Sequence, residues 1–290
     1  MIRYALPDFT VYLNLNIMVA EMMKSAPEMF YEDVSISSLY GCFPGCIMNG
    51  GRFMFGAPYS YDQIAETFDR ISGAGLGIRL TLSNMFIRPE QFEDEYSNMI
   101  LKAATGRNTE VIVYCDELGD YIAGKYHFGR ILSTTRKLDS VQELNGMLKR
   151  YDMVVLDYNR NKDDAFLSQV SDPSRLEVMP NEGCEPGCSV RLQHHAHESR
   201  CQLAQKYEEF RCPNKCAVCG YTSHIDESPT LLGNGDVRRL NATYGISDFK
   251  IVGRRDGLAF VLETYLYYLV RPEYRAIVGK IFGKKLRSKS

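Results

Sequence analysis

No apolar stretch in this chain approaches the roughly 18–20 residues that a helix needs to cross a bilayer, which excludes a membrane-spanning helix. Charge of one sign is also lacking. The 34 Lys and Arg nearly balance the 36 Asp and Glu, giving a net charge of −2 and a pI near 6.2. A surface so close to neutral excludes general nucleic-acid binding. Internal repeats and low-complexity segments are absent, and so is any His-Glu-x-x-His helix, which ranks a metallopeptidase last among the catalytic readings. Nothing at the N-terminus resembles a targeting sequence, so a soluble, cytoplasmic protein is expected. Lys280, Lys284, Lys285, Arg287 and Lys289 form the one local charge excess. A short basic end of this kind is usually solvated, although contact with RNA or an acidic partner is conceivable.

What the chain does have is cysteine in an uneven distribution. Eight of its nine cysteines fall in two stretches, Cys42 and Cys46 in the first, and Cys184, Cys188, Cys201, Cys212, Cys216 and Cys219 in the second. Thiolates at such spacing bind zinc or iron–sulfur clusters, because one loop then supplies two ligands without a large ordering cost. A disulfide framework fits less well, since 290 residues with 45% hydrophobic content can bury a core without staples.

Short β-branched runs alternate with helical stretches along almost the whole chain. Strands are predicted near 2–6, 33–38, 77–82, 110–114, 130–133, 153–156, 176–179 and 249–252. Helices are predicted over 61–71, 91–104, 141–150 and 164–170, with a long amphipathic one over 257–282. Eight strands, each followed by a helix, predict a (β/α)₈ TIM-type barrel, with a doubly wound open sheet as the alternative. Residues 1–290 then form a single barrel domain, and 180–248 is a cysteine-rich metal-binding insertion after strand seven, too long for an ordinary connection.

In such barrels chemistry collects on the face built by the loops after the strands. Candidates on that face include Asn49 and Arg52 in a glycine-rich loop after strand two, where backbone N–H groups and a guanidinium suit a carboxylate or phosphate. Asn84 ends strand three, and Asp157 follows strand six, where it either positions substrate or caps a helix. Arg191, Lys250 and Arg254 are cations suited to an anionic substrate or cofactor group. His194 and His197 share a face of the predicted helix after Cys188, as general acids or bases or as metal ligands. Cys212-x₃-Cys216-x₂-Cys219 has the spacing of the radical S-adenosylmethionine cluster motif, but it lies late in the chain with Val218 where that motif carries an aromatic. A structural zinc ribbon using His224 or an earlier cysteine is the more natural reading of those three thiols.

The run Leu176-Glu-Val-Met-Pro-Asn-Glu-Gly-Cys184-Glu-Pro-Gly-Cys188-Ser-Val-Arg191, followed by Gly245-Ile-Ser-Asp-Phe-Lys250-Ile-Val-Gly253-Arg254, resembles the collagenase-like peptidases of family U32. The resemblance covers roughly the last 120 residues, and the first half only as barrel architecture. It implies an iron–sulfur protein supporting oxygen-independent hydroxylation of an RNA, peptide or small-molecule substrate, with a protein partner subunit conceivable. It also implies a 4Fe-4S cluster on Cys184, Cys188, Cys212 and one more thiol. Cys46 is the first candidate for that place, with Cys201, Cys216 and Cys219 competing. The compact spacing of Cys184 and Cys188 and the extra thiols depart from the family pattern, so its ligand set does not transfer whole. The alternative is a zinc-stabilised barrel that binds a ligand or partner without redox chemistry. On the favoured reading Asp157, Arg191 and His194 are the catalytic candidates, and Asn49, Arg52, Asn84, Lys250 and Arg254 bind substrate.

Overall fold

A computed structural model describes residues 1–214, 220–253 and 257–287, with side chains as far as 283. Arg254, Cys216 and Cys219, three of the candidates above, lie outside the described residues, as do the side chains of the basic end beyond residue 283.

Eight parallel strands close into a barrel in chain order. They are β1 (Ile2–Pro7), β2 (Val34–Gly41), β3 (Gly77–Leu82), β4 (Thr109–Val113), β5 (Gly129–Leu132), β6 (Met153–Val155), β7 (Leu176–Val178) and β8 (Asp248–Lys250). Closure is made by β8 on β1, where Arg3, Tyr4 and Ala5 pair with Asp248, Phe249 and Lys250. Every residue of β3, β7 and β8 is buried, as expected for parallel strands covered on both faces.

The helices are α1 (Leu13–Ser25), α2 (Tyr61–Gly73), α3 (Glu95–Ala104), α4 (Asp116–Tyr126), α5 (Val141–Leu148), α6 (Asp164–Leu167), α7 (Arg191–Ala204), α8 (Asn234–Tyr244), α9 (Gly257–Tyr268) and α10 (Arg275–Arg287). Local chemistry sets several starts. Ser60 with Gln63, and Ser140 with Glu143, form reciprocal capping boxes for α2 and α5. The single long helix predicted over 257–282 is two helices, because Pro272 has no N–H to continue the ladder and opens a short 3₁₀ turn instead. Among the described helices none is long and apolar enough to cross a membrane.

Two separate apolar clusters fill the molecule. The larger lies between strands and helices and includes Leu39, Cys42, Phe43, Cys46, Phe68 and Ile100. The smaller fills the barrel lumen with Ala5, Tyr40, Ile112, Ile131, Val155, Tyr158 and Met179, and Cys184 packs at its edge. Two residues before Thr81, Met179 and Lys250 respectively, Arg79, Glu177 and Asp248 form a charged floor. Arg79 bonds Glu177, reaches Glu110 at 2.7 Å, and lies 3.9 Å from Asp248, which Arg3 holds at 2.5 Å.

Helix α7 does not pack beside the barrel wall. Its first residue, Arg191, holds Glu182 just after β7. Its last turns bond the loops after β2 and β3: Glu198 accepts from Phe53 N, Gln202 from Met54 N, and Ser199 O from Asn84. At 14 residues it is about 21 Å long, enough to cross the barrel end. Helix α8 instead takes the outer position between β7 and β8, with Arg239 and Tyr244 bonded to Asp164 of α6.

Candidate functional site

Beneath α7 the strand ends enclose a narrow cavity of about 70 Å³. A single water needs roughly 10–15 Å³ by the same measure, so there is room for a few waters or one small oxyanion. Among the described residues Arg52, Arg191 and Lys250 line it, with Glu182 as the single carboxylate, and Thr81, Ser83, Ser133, Thr134, Thr135 and His195 add hydroxyls and an imidazole. Cations outnumber anions in a small, protein-walled space, which favours a bound anion.

Arg191 is the most constrained of the three cations. Its guanidinium lies 4.3 Å from the centre of the buried Tyr158 ring, and Tyr158 is itself fixed by donating to Glu185 O at 2.7 Å. Nη2 approaches Glu182 at 3.4 Å, and Nε donates to His195 Nε2 at 3.3 Å. Nη1 is buried and has no acceptor among the described residues. A buried donor without a partner costs about 1–3 kcal/mol. Burial works against the arginine charge, but Glu182 and the nearby Cys184 and Tyr158 outweigh it and raise its pKa. Lys250 sits 4.3 Å above the Tyr40 ring, and Tyr40 is anchored to Ile251 O at 2.7 Å.

Several candidates prove to hold the walls. Asn84 Nδ2 donates to Ile47 O, Asn49 O and Ser199 O at 3.0–3.1 Å. Asn49 donates to Arg52 O at 2.8 Å and accepts from Thr81. Neither amide lines the cavity; both shape the loop that delivers Arg52 to it. Gly50 is demanded by that loop, since a Cβ there would stand 2.2 Å from Ser83 O. The glycine serves backbone approach to β3 rather than to a ligand. Asp157 takes the capping alternative, accepting from Asn159 N at 2.9 Å, and does not line the cavity.

His194 points away from the cavity, stacked on Phe210 at 4.6 Å and bonded to Glu198 at 3.3 Å. His195 lines the cavity instead. The signal that could have found it is the i, i+4 spacing from Arg191, which puts the two on one helix face. His197 bonds Glu208 O at 2.7 Å and Cys201 Sγ at 3.4 Å, so this pair pins the chain after α7. Glu182, two residues before Cys184, also lines the cavity, although no motif in the sequence marks it.

The thiols divide by side of the barrel wall. Cys46 is fully buried among the outer helices, 3.5 Å from Ser97 Oγ. Burial pushes its pKa up, but hydrogen bonds with Cys42 and Ser97 and with the backbone of Met48 and Asn49 bring it below the usual thiol value. The structure therefore does not bring Cys46 to Cys184, which packs against the lumen: a loop can start on the active face and still turn its side chain outward. Cys184, Cys188 and Cys212 are each part-exposed. Asn214 Nδ2 donates to Cys188 Sγ at 3.2 Å, tying the segment after Cys212 to the β7 loop. Cys184 and Asn214 also line one neighbouring cavity of about 470 Å³, and Glu182 borders both that cavity and the barrel mouth. Among the described residues, no three His, Cys, Asp or Glu side chains already converge as a metal site.

The fold and these features define a TIM-type barrel with a cationic mouth and a thiol-bearing loop beside it. The U32 peptidase Mk0906 shares this architecture, with a TM-score of 0.54 over 89% of this chain and 94% of that chain at 12% identity. At that identity the likeness establishes a U32-like fold. No family model matches the chain, and no curated protein matches it in sequence.

Proposed function

We propose that this protein is an iron–sulfur-dependent modifying enzyme, with its substrate's anionic group bound in the barrel mouth and its cluster on the adjoining thiols. The observation that carries the reading is the position of Glu182. It holds Arg191 in the mouth, accepts from Cys184 N at 3.2 Å, and borders both cavities. Cys184, Cys188 and Cys212 fit a cluster by donor chemistry, being soft, part-exposed and unbridged. Cys216 and Cys219, which follow Cys212, are the candidates for the fourth thiolate. When bound, such a group would exchange single electrons with the substrate.

The chain's own residues do the rest. Arg52, Arg191 and Lys250 neutralise and orient the anion. Arg191 donates to His195 Nε2 at 3.3 Å, which holds the imidazole in the wall of the mouth. Helix α7 covers the site and limits water entry.

The test is iron, sulfide and zinc analysis of protein purified without oxygen, with its visible spectrum. Matched iron and sulfide with a broad visible band supports the reading. Stoichiometric zinc without iron overturns it in favour of a zinc-stabilised binding protein.

A further inference from the structure

A second groove opens beside the mouth and shares one residue with it. It encloses about 410 Å³, and Arg52 lines both spaces. Its outer wall is an aromatic trio that the sequence pattern did not flag. Phe53, Phe55 and Tyr207 lie with ring centres 4.8–5.5 Å apart, Phe55 being 66% exposed and Tyr207 39%. Large aromatics left in water next to a cavity are an unusual use of apolar surface, and ring edges and faces favour a further ring there.

The groove's charge is opposite to that of the mouth. Asp8 is 1% exposed, lines the groove, and is held by Thr10 at 2.6 Å in a left-handed backbone conformation of φ 35°. A non-glycine residue in that region carries strain, and such strain gathers at binding sites. Glu198 is the groove's second carboxylate. Carboxylates and rings thus lie on the groove side of Arg52, and cations on the mouth side. Charge complementarity would hold an acidic ligand that spans the two spaces with its anion in the mouth and its apolar body in the groove.

We propose that the groove is a second binding compartment, and that the ligand is an aromatic acid whose phosphate or carboxylate occupies the mouth while its ring packs on Phe53, Phe55 and Tyr207. This rests on the reading of the mouth as an anion site. Phosphate and carboxylate share the chemistry that the cations recognise, and the ring is what the groove adds.

The experiment is calorimetric titration of the full chain with inorganic phosphate, phenyl phosphate, cyclohexyl phosphate and benzoate. Phosphate reads the mouth alone. Phenyl phosphate is expected to bind about ten-fold more tightly than phosphate, with cyclohexyl phosphate between them. Benzoate binding more tightly than phenyl phosphate would assign the anion as a carboxylate, and the reverse would assign it as a phosphate; both support the compartment. In the double variant Phe55→Ala, Tyr207→Ala the ten-fold gain should vanish while phosphate affinity stays unchanged. Phe55→Leu with Tyr207→Leu keeps the apolar cover and removes the rings, so it guards against a folding artefact and should also lose most of the gain. Phenyl phosphate binding no tighter than phosphate, or a gain that survives both double variants, would overturn the groove while leaving the mouth intact. No binding of any probe would overturn the mouth reading, and the groove proposal with it.

Discussion

The floor and the mouth of this barrel use the same kinds of charged residue to opposite ends. On the floor, Arg79 and Arg3 meet three carboxylates, Glu110, Glu177 and Asp248, so every guanidinium is spoken for. In the mouth, among the described residues, Arg52, Arg191 and Lys250 share the cavity with Glu182 alone, and Arg191 keeps one buried donor without an acceptor. A closed ionic set specifies packing, whereas an unbalanced one invites a ligand. Burial does not separate the two regions, since Arg79 is 4% exposed and Lys250 8%.

Breaking the floor should have the largest effect. Arg79→Met strands Glu177, which is fully buried and whose pKa burial already raises. The expected cost is about 3–5 kcal/mol in chemical denaturation. Phosphate affinity at the mouth should survive in whatever fraction remains folded. Arg191→Met reverses the pattern. It should weaken phosphate binding roughly ten- to a hundred-fold by calorimetry, with a smaller loss of stability, because a charge-assisted contact is worth about 1.5–3 kcal/mol. Equal damage to stability from both variants, with no selective loss of binding, would erase the distinction between the regions.

The smallest effect is a pH dependence on the helix that roofs the mouth. Burial raises the pKa of Glu198, but bonds from His194 and Phe53 N and the charge of Arg52 outweigh it, so the folded value lies below the usual 4.5. A carboxyl with a depressed folded pKa stabilises above its unfolded value and loses that contribution as pH falls through the folded one. Glu198→Gln should therefore cost about 1 kcal/mol at neutral pH, and the gap from wild type should close below pH about 4.5. Paired thermal melts across that range measure it.

The barrel was legible because its strands carry the signal of burial on both sides, as in Gly77–Leu82 and Thr109–Val113. The site was legible only in part. Helix α7 has no apolar stripe, since its buried residues are His194, Glu198, Ser199, Cys201 and Gln202. A helix that packs on polar loop backbone cannot be assigned a direction from hydrophobic periodicity, so nothing in the sequence said that it crosses the mouth. That crossing exchanges His195 for His194 and brings Glu182 into the site. Asn49 and Asn84 sit at strand ends, where ligand-binding amides and loop-tying amides look alike in sequence. Only the carbonyls around them, such as Ile47 O and Ser199 O, tell the two apart.

The thiols pose the same question, and one measurement answers it most directly. Iron and sulfide should be determined side by side in Cys184→Ala and Cys46→Ala, both purified without oxygen. Cys46→Ala is expected to retain about four iron and four sulfide per chain, the content of a 4Fe-4S cluster, while Cys184→Ala retains almost none. A Cys46→Ala protein stripped of iron beside a Cys184→Ala protein that keeps it would contradict a cluster on the mouth-side thiols.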